Sequence, residues 1–184
     1  MSASETAERG ISTHRVEGLA DAVFAIVMTL LVIDLRAPHA ASTAALAGAL
    51  FERWTDFLSY AISFVVVAVM WFGHRMEFHY ITKMDRRSVL LSLFFLGAIT
   101  FLPFSTALLA KNFHQPLAAA IFGFNIFVAS VFRWWHWHHA GRRRLIRDDA
   151  PPKMVKSIQF RTLLVPILYL VASAVCAASP SSPS

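Results

Sequence analysis

Long apolar runs without charge alternate with short charged stretches along this chain of 184 residues. Uncharged runs of 18, 23, 21 and 23 residues follow Asp56, Arg87, Lys111 and Arg161, respectively. A membrane-spanning helix needs about 17–25 predominantly apolar residues. The pattern therefore predicts four spanning helices, at about 55–75, 88–110, 116–137 and 158–178. Pro103 and Pro166 are predicted to kink the second and the fourth of them.

A fifth spanning helix is predicted at 17–36, where the charge-free core of 12 residues lies between Asp21 and Asp34. A charge facing lipid at depth costs at least about 2.5–3.5 kcal/mol, so we expect this helix to face protein or water. At 100° per residue five residues of the helix fall on one stripe: Gly18, Ala22, Ile26, Thr29 and Ile33. The first two are small, the two isoleucines are bulky, and Thr29 adds a hydroxyl between them. The wheel leaves two interpretations open, a packing seam between helices or the lining of a pore.

Composition agrees with a membrane protein. Hydrophobic residues make up 57% of the chain and charged residues 15%, against about 45–50% and 25% in soluble domains. This excludes a soluble enzyme and a disordered chain, and the single cysteine, Cys176, excludes an internal disulfide. We expect an all-α, polytopic helical bundle forming one domain over 1–178, with a short surface helix near 43–51 and a disordered tail at 179–184.

The positive charges are unevenly divided between the two sides of the predicted bundle. Fourteen of the 17 Lys and Arg residues fall on the side of the N-terminus and of the loops that follow the predicted helices at 55–75 and 116–137. Only Arg36, Arg53 and Lys111 fall on the other side. The positive-inside rule places the N-terminus and both basic loops in the cytoplasm. We expect a multi-pass protein of the cell membrane. The basic residues are thereby explained by topology, without a nucleic-acid partner.

Other chemistry gives weaker signals. We expect Asp21 to be fixed by a nearby partner, with Arg15 and His74 as candidates, and His74 to be a hydrogen-bonded structural residue. His136, His138 and His139 could bind a metal, but no cysteine or helical carboxylate joins them, so no metal site is predicted. No nucleophile–base set or phosphate loop indicates an enzyme. A carrier using Asp21 and histidines, or a scaffold without transport, remain alternatives.

The spacing Arg15-x-x-x-Leu19-Ala20-Asp21, then Thr29 and Asp34, resembles the first-helix signature of the transmembrane protein 175 family, potassium channels of endolysosomes with short bacterial homologues. Three further stretches and one single residue are similar to that family: Trp71-Phe-Gly-His74-Arg75, Leu102 to Leu109, Phe160 to Pro166, and Asn125. Two features differ from the family pattern. Leu19-Ala20 replaces Phe-Ser, and five membrane helices are predicted where the family usually has six.

The resemblance implies a homotetramer whose first helices line a central pore in the bilayer, without the carbonyl filter of other potassium channels. The implied constriction is Ile26, with Ile33 and Leu30 as the next apolar layer and Thr29 contributing to selectivity. Asp34 would concentrate cations at the outer mouth. A closed isoleucine ring dewets and stops conduction, and a slightly open one favours the more easily dehydrated K⁺ over Na⁺. Apart from the permeant K⁺, no cofactor is implied.

Overall fold

The computed structural model describes residues 12–33 and 35–178, which form seven α-helices. The helices are α1 (Thr13–Ile33), α2 (Thr43–Glu52), α3 (Trp54–Tyr80), α4 (Arg86–Thr100), α5 (Leu102–Lys111), α6 (Pro116–Arg142) and α7 (Pro152–Ala178). Apart from one isolated bridge between Ile81 and Ile146, these residues contain no β-structure. The all-α bundle predicted from the sequence is confirmed, and so is the short helix after the first span.

Four segments of the described chain are long and apolar enough to cross a membrane: Thr13–Ile33, Trp54–Tyr80, Arg86–Lys111 and Pro116–Arg142. The span predicted at 158–178 lies within α7. The third span is interrupted at Phe101, where α4 ends and α5 begins with a proline in its first turn. Pro103 has no N–H to donate to a preceding carbonyl, which explains the break. In contrast, α7 continues as helix through Pro166.

One end of the bundle, which we call the basic end, comprises the start of α1, the loop 81–85 and the loop 143–151. Several helices extend beyond their predicted spans at this end. The predicted spans stopped at Arg75 and Trp137, but α3 continues to Tyr80 and α6 to Arg142. At the end of α6, Arg144 adopts a left-handed φ of 53°. The Leu145 amide then donates to the Ala140 carbonyl at 3.0 Å, an arrangement that terminates helices.

Two separate apolar cores hold the bundle together. The larger core lies within the spans and includes Phe24, Val67, Phe95, Ile99 and Ile126. The smaller core lies at the basic end, and its members come from α1, α3, α6, α7 and the loop after α3: Val16, Phe78, Tyr80, Ile81, Met84, Trp137, Ala140 and Ile158. This second core explains why α3 and α6 continue past their charged residues, since their last turns are packed against apolar neighbours. It was not predicted.

Helix neighbours determine which surfaces remain open. Within the described residues α1 packs against α3, α4 and α5, whereas α7 packs mainly against α6. The helices α1 and α7 therefore lie on different flanks of the bundle.

Candidate functional site

One face of α1 is packed into the bundle. Its buried residues are Val16, Ala20, Phe24, Val27 and Leu31, at the helical spacing of one stripe. Phe24 is 1% exposed, and its ring lies 5.9 Å from the Phe95 ring and 6.0 Å from the His74 ring, measured between centroids. The contacts of this face hold α1 against α3 and α4.

The opposite face of α1 is uncovered, and it carries the stripe predicted from the sequence. Ile26 is 58% exposed and Ile33 is 66% exposed, and Gly18, Ala22, Thr29 and Leu30 are exposed as well. A Cβ built on Gly18 would meet nothing within 4 Å. No packing seam with the residues that the structure describes therefore accounts for the stripe. Asp34, predicted for the outer mouth, lies outside the described residues.

Thr29 lies one turn from Ile26 on the uncovered face. Its hydroxyl donates a hydrogen bond to the Ile26 carbonyl at 2.7 Å. Because the hydroxyl proton is held by the helix backbone, the lone pairs of the oxygen are free on the exposed side. An oxygen presented in this way accepts hydrogen bonds or contacts a cation.

Asp21 lies on the flank between the two faces of α1, where α3 contacts it. The Trp71 indole N–H donates to Asp21 Oδ1 at 2.8 Å. Arg75 Nη1 lies 3.4 Å from Asp21 Oδ2 and 3.0 Å from Glu17 Oε1. The expectation that Asp21 is fixed by a partner is confirmed, but the suggested partners were wrong. Trp71 and Arg75 lie one turn apart on α3 and reach the Asp21 carboxylate, whereas the His74 ring packs near Phe24 in the aromatic core.

His74 is a buried structural residue, as predicted. It is held by aromatic stacking, however, and not by the hydrogen bond that was predicted. Its ring stacks on Phe78 at 4.4 Å and on Phe95 at 5.3 Å, with interplanar angles of 27° and 12°. Its Nε2 has no hydrogen-bond partner within the described part of the chain. His74 therefore links α3 to the aromatic core that also receives Phe24.

Asn125 belongs to a buried polar network that connects α3, α5 and α6. Its amide donates to Ser105 Oγ at 3.1 Å, and Ser105 donates to the Leu102 carbonyl at 3.0 Å. Beside them, Thr106 and Ser63 share a hydrogen bond of 2.8 Å. Hydrogen bonds of this kind join membrane helices. Ser, Thr and Asn within apolar spans were the available signal, although the sequence did not pair them.

A buried ion pair between α3 and α6 was missed from the sequence. Arg133 Nε lies 2.6 Å from Glu77 Oε1, with the Glu77 side chain fully buried and the Arg133 side chain 15% exposed. A Cβ on Gly73 would lie 2.7 Å from Arg133 Cζ, so only glycine leaves room for the guanidinium. In the sequence Arg133 ends an uncharged run and Glu77 follows Arg75, so the pattern of charges does not pair the two residues.

The histidines at the end of the predicted span 116–137 are engaged in structural contacts. His139 Nε2 lies 2.8 Å from Asp85 Oδ2, His136 stacks on Phe78 and His138 stacks on Trp134. Asp85 also caps α4 by accepting from the Ser88 amide at 2.7 Å. Burial tends to raise the pKa of Asp85, but the Ser88 amide and His139 outweigh it and hold the pKa below its usual range. Together these contacts join the loop after α3 to α6.

The fold and the two faces of α1 define a class: a polytopic α-helical membrane protein whose first helix is anchored on one side and uncovered on the other. A sequence profile described as the endosomal/lysosomal potassium channel TMEM175 matches residues 15–103. A Streptomyces collinus protein named a potassium channel is 34% identical over 153 residues, covering 79% of this chain and 74% of that protein. A Chamaesiphon minutus protein named a potassium channel is 34% identical over 168 residues, covering 88% and 83%.

A solved structure is also similar to this fold. It is described as the crystal structure of a lysosomal potassium-selective channel TMEM175 homolog from Chamaesiphon minutus. The TM-score is 0.80 at 30% identity, with 91% of this chain and 87% of that chain covered. The chain belongs to the TMEM175 family, and the resemblance noted in its first helix is confirmed.

Proposed function

We propose that the chain is the subunit of a potassium-permeable cation channel in which copies of α1 surround a central pore. One observation carries the proposal: the uncovered stripe of α1 faces away from the rest of its own chain while Asp21, on its flank, is 41% exposed. A membrane helix with such a carboxylate does not face lipid at low cost. Packing around a water-filled axis gives this face a suitable environment.

The proposed constriction is a ring of Ile26 side chains. Alkyl groups offer no ligands to an ion, so a closed ring excludes water and stops conduction. When the ring is slightly open, a cation has to lose part of its hydration shell to pass. K⁺ loses water at lower cost than Na⁺, and this difference gives a preference for K⁺ without a cage of backbone carbonyls.

The proposed selectivity element is Thr29, next along the pore. Its free lone pairs point outward from the helix, and several such oxygens around an axis would offset part of the dehydration cost of a cation. Ile33, with Leu30 beside it, forms a second apolar layer in this arrangement. Asp34 would raise the local concentration of cations at the outer mouth.

The proposed orientation and assembly follow from charge and from the family. The basic end contains Lys83, Arg86 and the arginines around 142–147, so the positive-inside rule assigns it, with the N-terminus, to the cytoplasm. We propose a homotetramer in the cell membrane, with residues 1–178 acting as one channel domain. The similarity to proteins named potassium channels supports the proposed channel function.

Reconstitution tests the proposal directly. Purified protein in planar bilayers should give discrete current steps, and under bi-ionic conditions the reversal potential should favour K⁺ over Na⁺. Native mass measurement in detergent should give four copies. Saturating flux without current steps would indicate a carrier, and no flux from a correctly assembled protein would indicate a scaffold. A protein found only as a monomer or dimer would contradict a central pore built from α1.

A further inference from the structure

A small cavity opens on the flank of the bundle where α3, α6 and α7 meet, away from α1. It has a volume of about 120 Å³. Its lining includes Arg133 on α6 and Arg161 on α7, and its apolar wall on α3 includes Val69, Phe72 and Met76. Neither the pore proposed above nor the Asp21 contacts use this cavity.

Both arginines have N–H groups that are available to a ligand. Arg133 uses its Nε to bind Glu77, and its terminal nitrogens make no hydrogen bond to any other described residue. These terminal nitrogens lie beside Gly73, at the edge of the cavity. Arg161 is exposed and forms no ion pair with any residue that the structure describes. Two guanidinium groups around one space are well suited to a phosphate group, which accepts hydrogen bonds from several N–H donors.

The charge of the site matches a phosphodiester. The Glu77 carboxylate offsets the charge of Arg133, so Arg161 leaves the cavity with one net positive charge. A phosphodiester carries one negative charge, whereas free phosphate near neutral pH carries between one and two. The charge balance therefore favours a phospholipid headgroup with one net negative charge, in which no cationic group offsets the phosphodiester.

The surroundings of the cavity fit a lipid as well. Val69 and Phe72 are 63% and 62% exposed on a membrane-spanning helix, so an acyl chain can lie along them while the headgroup stays between the arginines. Trp134 and Trp135 follow Arg133 on α6, and tryptophan is enriched at headgroup depth. Basic pockets between membrane helices on the cytoplasmic side bind anionic lipid headgroups.

We propose that this cavity binds the headgroup of one anionic phospholipid, held between Arg133 and Arg161 with an acyl chain along α3. The bound lipid joins α7 to α3, two helices that share little direct packing within the described residues. The site does not depend on the channel assignment.

Native mass spectrometry of the full-length protein tests the proposal. Delipidated protein is titrated with phosphatidylglycerol or with phosphatidylcholine, which has the same phosphodiester but no net charge. Phosphatidylglycerol should bind about tenfold more tightly to the parent protein, and Arg161→Gln should remove most of this preference, since a charged hydrogen-bonding partner is lost. Arg142→Gln is the matched control: it removes the same charge from an exposed position outside the cavity and should change the preference less than about twofold.

Three results would overturn the proposal. Equal binding of the two lipids by the parent protein would mean that the cavity does not recognise charge. An equal loss in Arg142→Gln and Arg161→Gln would mean that only general surface attraction operates. Displacement of phosphatidylglycerol by millimolar inorganic phosphate would assign the cavity to a free anion.

Discussion

The two faces of α1 differ in what they contact, although they share the same turns of helix. Phe24 and Ile26 are two residues apart and both are bulky and apolar, yet Phe24 is 1% exposed and Ile26 is 58% exposed. One face specifies how the chain folds, and the other is open to a partner or a pore. Apolar character alone therefore does not mark a residue of a membrane helix as core, since lipid, protein and a dewetted constriction all accept an apolar side chain. Substitutions on the two faces should separate folding from conduction.

The largest expected effect on folding comes from Phe24→Ala. It should destabilise the protein by roughly 3 kcal/mol, the low end for a buried phenylalanine, because an emptied cavity loses packing while the apolar lipid reference reduces the transfer contribution. Ile26→Ala, on the uncovered face, should change stability by less than about 0.5 kcal/mol. Unfolding in mixed micelles followed by circular dichroism measures both. Equal losses of stability would mean that the two faces do not differ in packing.

Conduction should respond most to Ile26→Asn. Amides that hold water replace branched alkyl groups, so the dewetting barrier falls. We expect about a tenfold higher K⁺ conductance, equivalent to roughly 1.4 kcal/mol of barrier, and a K⁺/Na⁺ permeability ratio that falls toward one. Val65→Asn, the same kind of change at a residue of α3 that is 59% exposed, should leave both quantities unchanged. If Ile26→Asn also leaves conductance and reversal potential unchanged in planar bilayers, Ile26 does not line the conduction path.

Asp21 on the flank should affect assembly more than selectivity. Asp21→Ala removes the acceptor of the Trp71 indole and one of the two carboxylates around Arg75, a loss of about 1 kcal/mol, so the yield of tetramer should fall. Asp21→Asn keeps an acceptor for Trp71 and should retain part of that yield. Size-exclusion profiles and permeability ratios are compared for both variants. Normal assembly with altered selectivity would place the Asp21 side chain in the pore.

The smallest expected effect is that of Thr29→Ala. It removes the exposed hydroxyl oxygen while leaving Ile26, the proposed constriction, unchanged. The K⁺/Na⁺ ratio should fall about threefold, close to 0.6 kcal/mol, with little change in conductance. Thr29→Ser keeps the hydroxyl and should preserve the ratio. A ratio in Thr29→Ala equal to that of the parent would remove Thr29 from the selectivity mechanism.

The sequence predicted the spans well because uncharged length is a strong signal, and it located the uncovered stripe because helical spacing sorts residues by face. It misplaced the ends of α3 and α6, since those ends depend on packing at the basic end and on a local turn at Arg144. It also suggested the wrong partners for Asp21, namely Arg15 and His74, in place of Trp71 and Arg75. Trp71 and His74 lie in the same short stretch, and only the rotation of α3 against α1 decides which of them reaches the carboxylate. Glu77 and Arg133 were missed for the same reason.

The contact between Gly73 and Arg133 has an evolutionary consequence. A single mutation that adds a side chain at position 73 displaces the guanidinium and leaves Glu77 buried without its cation. A single mutation at 133 to a neutral residue has the same result for Glu77. The three positions are therefore expected to vary together among homologous chains. A larger residue at 73 should occur together with uncharged residues at 77 and 133.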